Sequence, residues 1–389
     1  MRFERPTDTG RSEPEGRIRL FFIVSTLRRC GPTNQLYNLI SNLDASCFDI
    51  TLVTLSPESD DSRWFDFLPL NCDLRSLSLP RFASPKSIKK ALATILKPKN
   101  PHIVHTQGLR ADYVASILET PHNRVTTQRN YPFEDFPLLH VPVLGKLCAK
   151  IYMRALKRIP YIVACSESIK QAFQSHIDDL LVIPNGVSTT PSSGIPTADA
   201  KRNARNSLGL SLKSPVFLFS GPLIPRKQPE LLLRHFNDFF SNFDATLCVV
   251  GDGPLLERCR MIGKNSPRIH LPGHVKDLTP YLIAADIYVS ASSAEGLPNS
   301  VLEALSFGLP TILSDIPAHA EINAFAPSSG SLVRITKELN LFRVFDKSFP
   351  TESRQQAALS IANTALSAQQ MASNYSQLYK SITHTPDVD

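Results

Sequence analysis

The chain has 389 residues, 42% of them hydrophobic and 20% charged, which excludes a disordered chain and a membrane bundle and leaves room for two α/β domains of ordinary size. Its net charge of +7 suits an anionic ligand or an anionic membrane surface; with no nucleic-acid module in the sequence, nucleic acid is not an expected partner. Seven cysteines are scattered with no CxxC pair and no paired histidines nearby, which excludes a disulfide framework and a zinc site and fits a reducing compartment.

Residues 1–17 are polar and charged, without the apolar stretch of a secretory signal, and read as a flexible tail. The longest apolar run, Leu20 to Leu27, is broken by Ser25 and Thr26 and falls far short of the roughly 20 residues a spanning helix needs, so a cytoplasmic location is expected. Strands are predicted at Ile18–Ser25, Phe48–Leu55, Leu74–Leu79, His102–Thr106, Arg124–Gln128, Tyr161–Cys165 and Leu180–Ile183, with helical patterns between most of them. After Asn185 and Gly186, a stretch rich in Ser, Thr, Pro and Ala from Val187 to Ala200 loses apolar periodicity and marks a domain boundary. Strands restart at Val216–Ser220, Thr246–Val250, Arg268–Leu271, Ile287–Ala291 and Thr311–Ser314, and Thr351 to Thr383 reads as one or two closing helices. Strands alternating with helices are the sign of βαβ units and a parallel sheet, and here the pattern runs twice. Domains are expected at 18–190 and 191–350, with 351–389 closing the chain.

The run from Ala291 to Pro310 divides into strand end, loop, helix and next strand, with Asn299 or Ser300 as the expected N-cap and Gly308 as the left-handed C-cap. This places Glu295 at the carboxyl edge of a strand and Glu303 in the first turns of the next helix, where ligands of open parallel sheets bind. Free amides around Leu297 to Ser300, at the positive end of the helix dipole, suit a diphosphate. Carboxylates in that place suit hydroxyls, such as a ribose diol or a sugar.

Two glutamates with seven residues between them resemble the signature of the family 4 retaining glycosyltransferases, and the resemblance covers nearly the whole chain. It implies the GT-B fold: two Rossmann-like domains facing each other across a cleft, acceptor domain first and donor domain second, with C-terminal helices returning to the first. It also implies that Glu303 holds the ribose, Glu295 contacts the transferred sugar, and the backbone of Gly296, Leu297, Pro298 and Asn299 touches the phosphates. Gly251 and Gly253 look like the family's glycine turn, and Gly273, His274 and Val275 like its base-side loop. Glu321 also matches a family position. Lys227 sits where the family has a lysine for the diphosphate, offsetting charge on the departing nucleotide. The family's arginine position is Pro222, a departure for which Arg226 is the expected replacement.

In the first half, Gly31, Pro32 and Thr33 resemble the family's glycine loop across the cleft from the phosphates, with Thr33 or Asn34 as N-cap. Arg129 and Asn130 match a stretch where histidine usually stands at Arg129; an arginine cannot act as base, so Arg129 is expected to contact phosphate or an acidic acceptor. His105, closing another strand, is expected to face the acceptor. Lys146, Lys150, Arg154, Lys157 and Arg158 recur at helical spacing beside apolar residues, a pattern that suits anionic lipid headgroups.

The expected activity is retaining transfer of a hexose or N-acetylhexosamine from a nucleoside-diphosphate sugar to a glycan or lipid-linked acceptor, in cell-surface polysaccharide or lipopolysaccharide biosynthesis. No cofactor beyond the nucleotide sugar and no metal are expected, lysine and helix amides standing in for the ion. The alternative is a catalytically weak or inactive relative that binds nucleotide sugar or glycan, which Pro222 and Arg129 keep open.

Overall fold

The computed structural model describes residues 16–118, 123–139, 142–189, 193–241, 243–336, 340–346, 349 and 351–384; the predicted tail up to residue 15 lies outside them. The first half alternates strand and helix: β1 (Ile18–Val24), α1 (Gly31–Asn42), β2 (Phe48–Thr54), α2 (Trp64–Phe67), β3 (Cys72–Ser76), α3 (Pro85–Lys99), β4 (Ile103–Gln107), α4 (Leu109–Ser116), β5 (Asn123–Gln128), α5 (Pro132–Leu139), α6 (Pro142–Leu156), β6 (Tyr161–Ala164), α7 (Glu167–Phe173) and β7 (Leu180–Val182). The second half begins with α8 (Ala198–Leu208) and continues with β8 (Val216–Ser220), α9 (Pro229–Phe239), β9 (Thr246–Val250), α10 (Leu256–Gly263), β10 (Ile269–Gly273), α11 (Thr279–Ala284), β11 (Ile287–Ser290), α12 (Asn299–Ser306), β12 (Thr311–Ser314), α13 (Pro317–Phe325) and β13 (Gly330–Val333). Two helices follow, α14 (Glu352–Asn363) and α15 (Ala368–His384).

Each half forms one parallel sheet, ordered β3-β2-β1-β4-β5-β6-β7 and β10-β9-β8-β11-β12-β13. Both orders reverse direction beside the first strand of the sheet, so crevices open at the carboxyl ends of β1 and β4 and of β8 and β11. The strands read as near-continuous apolar runs because helices cover both faces. One departure lies in the first sheet: β3 ends at Ser76 rather than running to Leu79, and Ser78 takes φ 48°, a left-handed conformation that stops a strand. The edge strand β13, four residues opened by Gly330, has no sequence signal of its own.

α15 returns to the first sheet. Its Met371, Ala372, Tyr375, Tyr379 and Ile382 pack with Leu20, Phe22, Leu36, Phe48 and Ile103 in one buried cluster. Another cluster is continuous between the halves, joining Met153, Leu156, Ile169 and Phe173 to Leu297, Val301, Leu305 and Leu366. The chain crosses between domains twice, and the crossings pair with each other: the Val187 amide donates to Leu366 and the Ala368 amide to Val187.

Candidate active site

The loop from Ala291 to Pro298 leaves β11 at the switch point of the second sheet and delivers its chain to α12. The expected cap is absent: Pro298 occupies the N-cap position, no side chain caps the helix, and Asn299 is its first residue. The first amides of α12, those of Asn299 and Ser300, are therefore met by no capping side chain. Gly308 does close the helix with φ 66°. Likewise Cys30, not Thr33 or Asn34, precedes α1, again without a side-chain cap.

Asn299 turns its side chain across the groove instead. Its Oδ1 accepts from Gln35 Nε2 at 3.0 Å and from Asn185 Nδ2 at 3.1 Å, and Asn185 also donates to the Leu297 carbonyl at 3.0 Å. Gly31 lies close beside it: a Cβ there would stand 2.7 Å from Asn299 Nδ2, so a larger residue would push that side chain aside. Gly296 packs closer still on the other side, and against backbone: an added Cβ would sit 1.9 Å from the Arg129 carbonyl oxygen. Ser166 Oγ donates to the Gly296 carbonyl at 2.8 Å. Residues 296–299 are thus held in shape by the opposite domain.

Glu295 lies deep in this loop, its side chain 5% exposed between two cations. Lys227 Nζ stands 2.6 Å from Oε1 and Arg226 Nη1 2.9 Å from Oε2. Burial pushes the Glu295 carboxyl up, but Lys227 and Arg226 outweigh it and hold the group below its ordinary value. Glu303 follows just over one turn along α12. Burial raises its carboxyl to about 7, with only partial relief from Arg63 of the first domain and Lys227. One acid is therefore held as carboxylate while the other titrates near neutrality.

Gly221 and Lys227 lie on the loop after β8, and Pro222 is exposed there without a donor group. Gly251 and Gly253 bring the β9 loop against this one: with φ of 149° and 154°, their Cβ positions would fall 1.9 Å from the Gly221 carbonyl oxygen and 2.6 Å from that of Leu223. What they approach is backbone. Gly273, at φ 78°, has open space where a Cβ would be; His274 beside it is exposed, and Val275 packs on the core.

Across the groove, Arg129 donates to Asn185 Oδ1, and Asn130 is exposed at the end of the β5 loop. Thr33 is buried with Oγ1 3.3 Å from the Cys30 sulfur, and Pro32 is exposed. His105 does not face an acceptor. It is fully buried, with Nδ1 2.6 Å from the Tyr379 hydroxyl and Nε2 2.8 Å from Thr127 Oγ1, and burial and Arg129 lower its imidazole to about 3. It ties α15 to the sheet as a neutral ring. Glu321 spans the domains too: its carboxylate accepts the Glu167 amide at 2.8 Å and the Ser168 amide at 3.1 Å, capping α7 from the second domain.

Sequence reasoning missed Gln35, Ser166 and Asn185 as parts of this site. Only Asn185, beside Gly186 at the crossing, carried any signal, and that signal was for a turn.

Two family models match: residues 30–190 fit that described as Glycosyltransferase Family 4, and residues 214–338 fit that described as Glycosyl transferases group 1. The chain belongs to the family 4, group 1 glycosyltransferases. An Escherichia coli UDP-Gal:alpha-D-GlcNAc-diphosphoundecaprenol alpha-1,3-galactosyltransferase is 28% identical to this glycosyltransferase, with 83% of this chain and 88% of that one aligned. Among solved structures, sucrose-phosphate synthase from Thermosynechococcus elongatus superposes with TM-score 0.78 at 17% identity, covering 94% of this chain and 99% of that one. Anabaena HepE in complex with UDP and glucose superposes with TM-score 0.76 at 14% identity, covering 94% and 100%. The glycosyltransferase has the GT-B architecture, two Rossmann-like domains across a cleft.

Proposed function

We propose that this glycosyltransferase moves a hexose or N-acetylhexosamine from a nucleoside-diphosphate sugar to a glycan or lipid-linked saccharide, with retention at the anomeric carbon. The observation that carries this reading is the meeting, in one interdomain groove, of Glu295, Lys227, Glu303 and the uncapped start of α12. The open amides and Lys227 would take the diphosphate, Glu303 the ribose hydroxyls and Glu295 those of the transferred sugar. The bond between the anomeric carbon and the phosphate oxygen breaks, the acceptor hydroxyl bonds the same face, and its proton passes to an oxygen of the departing diphosphate. Arg129 is placed to steady that arrangement through Asn185, not to take a proton. Lys227 and the amides meet the leaving-group charge in this scheme, so chelation of divalent ions is expected to leave transfer unchanged.

The diphosphate-linked lipid acceptor in the galactosyltransferase relative's name favours a lipid-linked saccharide here, and with it a place in cell-surface polysaccharide or lipopolysaccharide biosynthesis. A peripheral seat on the inner face of the cell membrane follows. Among the described residues no helix is long and apolar enough to cross a membrane, but α6 exposes Val143, Leu144, Leu147 and Ile151 beside exposed Lys146, Lys150, Arg154, Lys157 and Arg158. Apolar side chains flanked by exposed cations suit an anionic bilayer surface.

The test is nucleoside diphosphate release from UDP-, GDP- and ADP-sugars with a saccharide acceptor. Glu303→Ala and Lys227→Ala are each expected to cut transfer by about two orders of magnitude or more while leaving the melting temperature near wild type; full activity in both refutes the site. The weak or inactive reading draws on two departures, the lack of a donor group at Pro222 and the arginine at Arg129 where histidine usually stands. Binding of a nucleotide sugar with no turnover on any acceptor would favour it.

A further inference from the structure

We propose that Arg226 is a positioning residue that fixes Glu295, and that it does not replace the family's arginine as a ligand of the donor diphosphate. The inference rests on the donor-site reading above and adds a division of labour between neighbouring cations. Arg226 lies in the single turn Pro225–Lys227 after β8, and among the described residues its side chain and carbonyl bond to the loop that carries Glu295. Its Nη1 donates to the Ala294 carbonyl and to Glu295 Oε2, both at 2.9 Å. Its own carbonyl accepts the Ser293 amide at 2.9 Å and the Ser293 hydroxyl at 3.1 Å. One residue joins the β8 loop to the β11 loop by side chain and backbone together.

Lys227 is held differently. Its Nζ reaches the other Glu295 oxygen from the end of a flexible stem, and an ammonium can be shared between a carboxylate and an arriving phosphate. A guanidinium anchored to a backbone carbonyl cannot turn away so cheaply. When the diphosphate draws Lys227, Glu295 would be left buried beside new negative charge, a setting that favours its protonated form. Arg226 prevents that and keeps both carboxylate oxygens available as acceptors in a fixed direction. With Pro222 unable to donate, the second domain then meets the diphosphate with Lys227 and the α12 amides.

The experiment uses the full chain with Arg226→Gln, Arg226→Lys and Lys227→Ala, and the donor and nucleoside diphosphate that score in the release assay. Arg226→Gln should lower kcat by about tenfold or more while changing the dissociation constant of the nucleoside diphosphate less than about twofold. The acid limb of its kcat profile should move to higher pH, and Arg226→Lys should restore part of the rate. Lys227→Ala should instead weaken nucleoside diphosphate binding. If Arg226→Gln weakens that binding as much as Lys227→Ala does, or leaves kcat and the pH profile unchanged, the assignment is overturned. Should the wild type turn over no donor, the functional reading fails by itself. The role of Arg226 is then decided by NMR titration of the Glu295 carboxyl, which must titrate higher in Arg226→Gln than in wild type for the assignment to stand.

Discussion

At Gly296 the two domains leave no room for a methyl group: a Cβ would stand 1.9 Å from the backbone oxygen of Arg129, where no flexible side chain can yield. Gly296→Ala should therefore leave each domain folded but force the groove apart, cutting transfer by about two orders of magnitude; an enlarged radius of gyration in small-angle scattering would accompany the loss. Glu303 invites a second prediction. Its folded carboxyl sits near 7, above the ordinary 4.5 of the unfolded chain, so folding favours the protonated form and the ionised form dominates only above neutrality. Ribose hydroxyls donate to a carboxylate, so donor affinity should fall as pH drops through about 7, and Glu303→Gln should flatten that profile while weakening binding throughout. A pH-independent dissociation constant in the wild type would separate Glu303 from the ribose. Glu295 and Glu303 were legible in sequence because their spacing straddles a strand, a loop and a helix start. Gln35 and Asn185 were not, since the Asn299 side chain on which both converge lies 264 and 114 residues away along the chain. His105 misleads for a related reason: strand position says which end of the sheet a residue occupies, not which covered face its side chain enters, and on a strand covered on both sides the ring is satisfied internally by Thr127 and Tyr379.

Among elements, the central strands were readable to within a residue or two because both faces are buried and apolar. The weaker signals belong to pieces whose shape is set by neighbours, such as β13 at the sheet edge and the start of α12, where Pro298 and not a polar cap opens the helix. The basic spacing of α6 and the apolar residues beside it were also plain in sequence, but which of those residues stay exposed was not, because periodicity cannot tell a stripe packed on a core from one left open: Leu147 and Ile151 are exposed and Leu156 is buried. α6 buries Tyr152, Met153 and Leu156 while Val143 stays 80% exposed, so this helix has two apolar faces and one is free. Binding to vesicles should then need both charge and insertion. Co-flotation is expected with vesicles rich in phosphatidylglycerol and not with phosphatidylcholine alone. Leu147→Ser with Ile151→Ser, and separately Lys146→Gln with Lys150→Gln, should each reduce it several-fold. Equal flotation by all variants would remove α6 from the membrane contact.

The molecule as a whole is stitched by its own C-terminal end. α15 begins in the crossing beside Val187 and ends inside the first domain, where Tyr379 meets His105 and Tyr375 meets Thr127 at 2.6 Å. One face of the first sheet is therefore uncovered until residues at the far end of the chain arrive, while its other face has a core of its own around Phe21, Val53, Leu92 and Val104 and the second domain has one around Phe217, Phe236, Phe240 and Phe342. Tyr379→Ala would open a cavity under β1 and β4 and strip a partner from a buried imidazole, costing about 3–5 kcal/mol. That loss falls on one domain. Calorimetry should show one transition in the wild type, where the shared cluster couples the domains, and two in Tyr379→Ala, the earlier one carrying the first domain and the later one staying near the wild-type temperature. Acid should weaken the same anchor in the wild type: His105 refuses a proton in the folded state down to about 3, while its unfolded form accepts one below 6.5, so the stability that His105 contributes is lost as pH falls below 6.5. A single transition in Tyr379→Ala, simply lower in temperature, would mean that the apolar cluster shared between the domains couples them more tightly than the α15 anchor divides them.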